Sequence, residues 1–255
     1  MIFWTYQLPN TMPISNHPPD WLLVSDIDDT FLGDDEATRQ LIDQCAAHGV
    51  AIVLNSSRPW ASVRETLASQ LEGWQPQATI TAMGTQVRID GEEDPGWSQR
   101  FGQWSREPFD RFAGEQGWRA HEPVMQTPHK ASFAIPPESD RGLVRRQLAD
   151  LSACDVVISG TSDLDILPPD SGKGPATLYL CDRFRIPTDR LVVAGDSAND
   201  VGLFAVASRG VIVGNARAEL REALAEKNFH EAVSHYAAGI LEGLIAYGAV
   251  GLQNS

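Results

Sequence analysis

The sequence predicts an α/β fold, a parallel sheet with helices on its faces, interrupted by a separate α+β unit. Three observations predict it. Apolar runs at residues 22–25, 50–54, 78–82 and 191–194 alternate with helical patterns, as expected of βαβ units whose strands are buried on both sides. Between residues 86 and 169 the pattern changes to alternating strands and amphipathic helices without such runs. Several of the runs end in carboxylates or hydroxyls. In open α/β sheets, ligands bind at those carboxyl ends.

Each element follows in order. The first run feeds the acidic turn Asp26-Ile27-Asp28-Asp29-Thr30. Leu41, Ile42, Cys45 and Ala46 then recur at helical spacing, with Asp34 or Asp35 to cap the start and Gly49 to end it. The second run leads into Asn55-Ser56-Ser57-Arg58-Pro59, and residues 60–71 form a second helix. The third enters Met83-Gly84-Thr85. Residues 87–89 with the Asp90-Gly91 turn read as a hairpin arm. Residues 95–121 place Trp97, Phe101, Trp104, Phe109, Phe112 and Trp118 among charges, a half-exposed amphipathic stretch. Residues 130–135 alternate like a strand with one wet face, 141–151 form a helix, and 156–159 and 163–167 are further short strands. Pro168-Pro169-Asp170-Ser171-Gly172 turns the chain back, and Lys173 precedes a helix starting near Pro175. The fourth run ends in Gly195-Asp196-Ser197-Ala198-Asn199-Asp200. A short helix over 199–207, a strand over 210–213 and helices over 216–227 and 236–247 complete the chain. The expected division is an N-terminal extension at 1–19 packed by Phe3, Trp4 and Tyr6, a core of 20–85 and 170–255, and an inserted unit at 86–169.

The chain has 255 residues, 42% of them hydrophobic, and a formal net charge of −14. Such acidity argues against nucleic acid or an anionic membrane as partner, since both require basic faces. No apolar stretch approaches the roughly 20 residues that cross a bilayer. The N-terminus lacks the basic start and sustained apolar region of a secretory signal. Three cysteines, Cys45, Cys154 and Cys181, without a CxxC pair, suit a reducing compartment, and a cytoplasmic location is expected. Lysine is rare: Lys130, Lys173 and Lys227 stand among many arginines. A lysine here suggests a place for a compact, mobile positive charge.

Side chains two apart on an extended segment point the same way, so Asp26 and Asp28 are expected to meet at the strand tip and repel. A hard cation held by oxygen ligands relieves that repulsion. The second acidic cluster, Asp196, Asn199 and Asp200, ends another buried run, and Ser56, Arg58 and Lys173 lie at comparable strand or helix ends.

This set, in this order, resembles the haloacid-dehalogenase-like phosphatases over nearly the whole chain. Their DxDxT motif is matched by Asp26, Asp28 and Thr30, their second-motif hydroxyl by Ser56, their lysine by Lys173, and their GDxxND motif by Asp196, Asn199 and Asp200. The inserted unit resembles the α/β cap class. Asp163-Leu164-Asp165-Ile166-Leu167-Pro168 is similar to sucrose-phosphate phosphatases and the closely similar mannosylfructose-phosphate phosphatases, and Pro128-His129-Lys130-Ala131-Ser132-Phe133 to the sucrose-phosphate group. Gly33-Asp34-Asp35-Glu36-Ala37-Thr38-Arg39 and Asn55-Ser56 lean toward mannosylfructose-phosphate phosphatases. Ser57 departs from the glycine usual at that place.

The resemblance implies a Rossmann-like hydrolase core with an α+β cap and a Mg²⁺-dependent phosphatase acting on a disaccharide phosphate. Asp26 is the implied nucleophile and Asp28 the acid and base. Asp26, Asp196, the Asp28 carbonyl and Asp200 are the implied metal ligands. Ser56, Ser57 and Arg58 lie near the phosphate, and Lys173 balances its charge. Thr30 is expected to order the loop and Asn199 to orient Lys173. Glu122, Gln126 and Lys130 are the expected sugar contacts, with Asp163 and Asp165 behind them. His129 is expected to pack or to lie at the surface. A monomer is expected, with a sugar-phosphate synthase as candidate partner. Two other classes stay open: a phospho-accepting receiver, which also uses acids, a hydroxyl and a lysine, and a sugar-binding protein without turnover. Between sucrose 6-phosphate and mannosylfructose phosphate, the shared fructosyl phosphate leaves the catalytic residues neutral.

Overall fold

The computed structural model describes residues 19–71 and 74–251. The extension with Phe3, Trp4 and Tyr6 lies outside the described residues. In chain order the strands are β1 (Trp21–Asp26), β2 (Val50–Asn55), β3 (Ala78–Thr81), β4 (Gln86–Ile89), β5 (Glu92–Glu93), β6 (Arg119–Ala120), β7 (Ala131–Ala134), β8 (Asp155–Ser159), β9 (Asp163–Leu167), β10 (Leu191–Gly195), β11 (Gly210–Ile212) and β12 (His230–Glu231). The helices are α1 (Asp35–Ala47), α2 (Trp60–Gln70), α3 (Pro95–Ser98), α4 (Glu107–Glu115), α5 (Arg141–Leu151), α6 (Lys173–Phe184), α7 (Val201–Phe204), α8 (Ala218–Leu224) and α9 (Tyr236–Ala246).

The large sheet runs β12-β11-β10-β1-β2-β3-β4-β5. It is parallel from β12 to β3 and antiparallel across β3-β4-β5. β1 sits in the middle, and its alternation divides the core. Trp21 and Leu23 join the side chains of α1, α2 and α9, while Leu22 and Val24 join those of α3, α6, α7 and α8. This two-faced burial is why the run reads as continuously apolar. Asp34 caps α1 by accepting from Glu36 and Ala37 N–H, both at 3.0 Å.

A second sheet, β6-β7-β9-β8, is antiparallel and forms its own core with α4 and α5, around Phe109, Phe133, Leu148 and Leu164. The expected start of the insert at residue 86 is corrected. β4 pairs with β3, and Trp97 and Phe101 are buried with Leu22 and Val24 in the main core. Residues 86–101 therefore belong to the large unit. β4 lies near the sheet's edge, and its partial exposure mimics a strand of the smaller unit. The helix expected near Pro175 starts at Lys173, and the one expected over 199–207 is a 3-10 turn at Ala198–Asp200 followed by α7.

Glu242 of α9 fastens the loop before its own helix. Its carboxylate accepts from Val233 N–H (3.1 and 3.2 Å), Ser234 N–H (3.0 Å) and the His230 ring (3.0 Å). Burial raises its pKa, but the Ser234, Val233 and His230 donors outweigh that and hold the carboxyl at about 2, below its ordinary 4.5. A depressed carboxyl stabilises the fold above pH 4.5 and loses that effect as pH falls toward 2. Glu242→Gln is expected to lower unfolding free energy by about 1 kcal/mol at pH 7, the gain being discounted for its partial exposure. Urea unfolding at pH 7 and pH 3.5 checks this: the gap between the two proteins must narrow at the lower pH, and an unchanged gap excludes an ionic origin.

Candidate active site

Because β1 and β10 are parallel neighbours, their carboxyl ends bring Asp26 and Asp196 together. The 3-10 turn after β10 adds Asp200, whose Oδ2 accepts from Asp196 N–H (3.1 Å) and Ser197 N–H (3.2 Å). A side chain at Gly195 would meet the Asp200 carboxylate at 2.6 Å, so this close approach requires glycine. Lys173, first residue of α6, reaches in from the other half of the core. Its Nζ donates to Asp26 Oδ1 (2.6 Å), Asp200 Oδ1 (2.6 Å) and Asn199 Oδ1 (3.0 Å). It is placed by Gly84, at φ +102, where a Cβ would lie 2.1 Å from the Gly172 carbonyl carbon.

The electrostatics follow from burial. Desolvation pushes the Asp26 carboxyl well above the usual range, Asp200 adds to it, and Lys173 opposes it. Asp196 is pushed up to about 6 by burial and by Asp200, against Arg217. Burial disfavours the Lys173 ammonium, but Asp200 and Asp26 outweigh it and keep it firmly charged. Ligand oxygens of Asp26, Asp196 and Asp200 all lie within 4.8 Å of one another. Three buried carboxylates against one ammonium leave an excess of negative charge on hard oxygen donors. That composition fits a divalent cation such as Mg²⁺.

A cavity of about 300 Å³ opens from these acids toward the smaller unit. Asp26, Asp28, Ser57, Asp196 and Asn199 line the core side, and Lys130, Asp163 and Asp165 the far side. Lys130 is 1% exposed and bridges the two units: its Nζ donates to Ser57 O (2.9 Å) and pairs with Asp165 Oδ1 (3.2 Å). Ser132 Oγ donates to Asp165 as well.

Several expectations are corrected. Asp28 does not stand beside Asp26 on the strand. β1 ends at Asp26, Asp29 turns at φ 58, and the Asp28 carboxylate pairs with Arg58. Thr30 is fully buried, absent from the cavity wall, and its Oγ1 has no hydrogen-bond partner, so it makes no substrate contact here. The loop is pinned instead by Asn215, whose Nδ2 donates to Asp29 O (2.7 Å). Gln126 is engaged within its own unit. Its Oε1 accepts from Ser132 N–H (2.9 Å) and Arg106 (3.1 Å), and its Nε2 donates to Ser132 O (2.7 Å). Glu122 is exposed before the 3-10 turn Pro123–Met125, which presents Met125 rather than Glu122 to the cavity. Ser56 is buried beneath Ser57, with Oγ accepting from Arg58 N–H (3.1 Å). Arg58 is not on the cavity wall.

The sequence reading missed His121, Met83 and Arg217, which line the cavity. His121 Nε2 lies 3.3 Å from Asp163 Oδ1, and Arg217 Nε 3.6 Å from Asp196 Oδ2. Arg217 stands just before α8, inside the stretch expected to be helical, where no neighbouring motif marks it. Of the two expectations for His129 the structure shows packing, against Phe101 with ring centroids 5.9 Å apart.

Comparison with known proteins agrees with this geometry. The family described as Sucrose-6F-phosphate phosphohydrolase matches residues 19–248. A mannosylfructose-phosphate phosphatase of Agrobacterium fabrum (strain C58) is 32% identical over 241 residues, covering 89% of this chain and 96% of that protein. A probable sucrose-phosphatase 2 of Arabidopsis thaliana is 28% identical over 80% of this chain, which spans only 52% of the plant protein. The crystal structure of the sucrose-phosphatase of Synechocystis sp. PCC6803, in complex with sucrose and phosphate, superposes with a TM-score of 0.82 at 28% identity, covering 90% of this chain and 98% of that one. With its haloacid-dehalogenase-like fold and its acidic centre, this chain is a phosphoric monoester hydrolase for sugar phosphates and belongs to the sucrose-6F-phosphate phosphohydrolase family.

Proposed function

We propose that the chain hydrolyses a disaccharide phosphate, sucrose 6-phosphate first among candidates, through an aspartyl-phosphate on Asp26 and with Mg²⁺. The carrying observation is the 2.6 Å contact of Lys173 with both Asp26 and Asp200, beside a cavity walled by core and cap together. Asp26 attacks phosphorus as the ester P–O bond breaks, and Asp28 gives its proton to the departing sugar alkoxide. Water then attacks the phospho-Asp26, its proton passes to Asp28, and phosphate and free Asp26 are restored. Lys173 and the N–H groups near Ser57 balance charge on the transferring group. Asp26, Asp196 and the Asp28 carbonyl, with Asp200, would hold the metal, which when bound neutralises phosphoryl charge. Asp200 has Oδ1 on Lys173 and Oδ2 on two backbone N–H groups, which suits contact through water.

The polar groups of Lys130, Asp163, Asp165 and His121 face the sugar side and reject esters that leave them unpaired. Mannosylfructose phosphate is the second reading, favoured by the 32% identity to the Agrobacterium enzyme. A panel of both esters with trehalose and glucosylglycerol phosphates, each with Mg²⁺ or EDTA, tests the proposal. Sucrose 6-phosphate is expected to lead the outsiders by at least ~10-fold in kcat/KM, with EDTA abolishing phosphate release. Equal rates on all four esters, or full activity in EDTA, overturn it.

A further inference from the structure

The two oxygens of Asp28 are not equivalent. Oδ2 lies 2.9 Å from Arg58 Nε, while the carboxylate stays 57% exposed on the cavity wall. Arg58 itself takes no part in that wall. Its guanidinium is rooted in α2, where Nη1 donates to Ser62 Oγ (3.3 Å) and Thr66 Oγ1 (3.0 Å). Its backbone N–H donates to Ser56 Oγ. Arg58 thus approaches Asp28 from the loop before α2, braced by a helix that contributes nothing to the cavity wall. Its Nε and Nη2 are buried without an aligned acceptor. The contact with Asp28 is therefore a single charge contact through Nε rather than a two-pronged one, and the rooted guanidinium fixes where that charge stands.

We propose that Arg58 is the positioning residue for Asp28. It holds Oδ2 and so leaves Oδ1 to give and take the proton at the leaving oxygen. Arg58 then serves the proton transfer rather than phosphate binding. The contact is off-axis, which orients the carboxylate without locking it. This inference rests on Asp28 being the acid.

The test exploits leaving-group chemistry. A p-nitrophenolate leaves without a proton, whereas a sugar alkoxide needs one. Single-turnover release of the leaving group is measured on p-nitrophenyl phosphate and on whichever disaccharide phosphate the wild type prefers, for Arg58→Met, Arg58→Lys and Asp28→Asn. Arg58→Met is expected to slow sugar release by roughly 30-fold, within the range of acid–base help, while nitrophenolate release stays within about threefold. Arg58→Lys is expected to recover part of the loss. Should Arg58→Met fail to fold, Thr66→Val, which removes one anchor of the guanidinium, carries the same selective loss at smaller size. Selective loss in Asp28→Asn but none in the arginine and anchor variants overturns the inference alone. Absence of selectivity in Asp28→Asn overturns the acid assignment and this inference with it. Equal losses on both esters, or a rise in KM alone, overturn the inference in favour of phosphate binding.

Discussion

Asp26→Asn is expected to stop turnover, by ~10⁴-fold or more, as loss of a nucleophile does in other covalent enzymes. The same change is expected to leave the metal-free fold at least as stable as the wild type. Burial is the largest influence raising the Asp26 pKa, and Asp200 adds to it. The ionised carboxylate is thus held in the core against its own preference, and a neutral amide of the same shape removes that cost. Asp196 supplies the sign for pH. A carboxyl raised from 3.8 to about 6 stabilises the metal-free fold below pH 4 and loses that effect as pH rises through 6. Thermal unfolding in EDTA from pH 4 to 8, beside phosphate release with Mg²⁺, checks both halves. Wild-type turnover in the variant sinks the nucleophile assignment, and a large fall in metal-free stability sinks the electrostatic account.

Lys173→Met is expected to act in the opposite sense on stability. The ammonium is almost wholly buried and bonded to Asp26, Asp200 and Asn199. Its removal leaves the carboxylates without their compensating charge, a loss of roughly 3–5 kcal/mol. For a chain of this length that lowers Tm by about 2–4 °C per kcal/mol. Turnover should fall ~10³-fold or more as the transferring phosphoryl group loses its cation. Added Mg²⁺ is expected to raise the variant's Tm by more than it raises the wild type's, because the ion substitutes for part of the missing charge. An unchanged metal-free Tm contradicts this account.

The reaction centre was legible because carboxylates at the ends of buried runs have no structural excuse. Asp26, Asp196 and Lys173 meet where a parallel sheet must bring them. The sugar side was less legible, for reasons specific to each residue. Gln126 looked like a reader of hydroxyls, yet an amide offers a donor and an acceptor, and here it braces Ser132 from both sides. Glu122 lost its place to Met125 because a 3-10 turn rotates the chain there. His121 follows a two-residue edge strand, too short to carry a period. The start of the cap was misplaced because β4, half exposed near the sheet's edge, alternates as a cap strand would.

The bare contact between Gly84 and Gly172 has a consequence for how this molecule changes over time. The turn after β3 and the turn before α6 abut main chain to main chain, like a closed collar. A side chain at residue 84 would push the turn before α6 outward and carry the Lys173 ammonium away from Asp26 and Asp200.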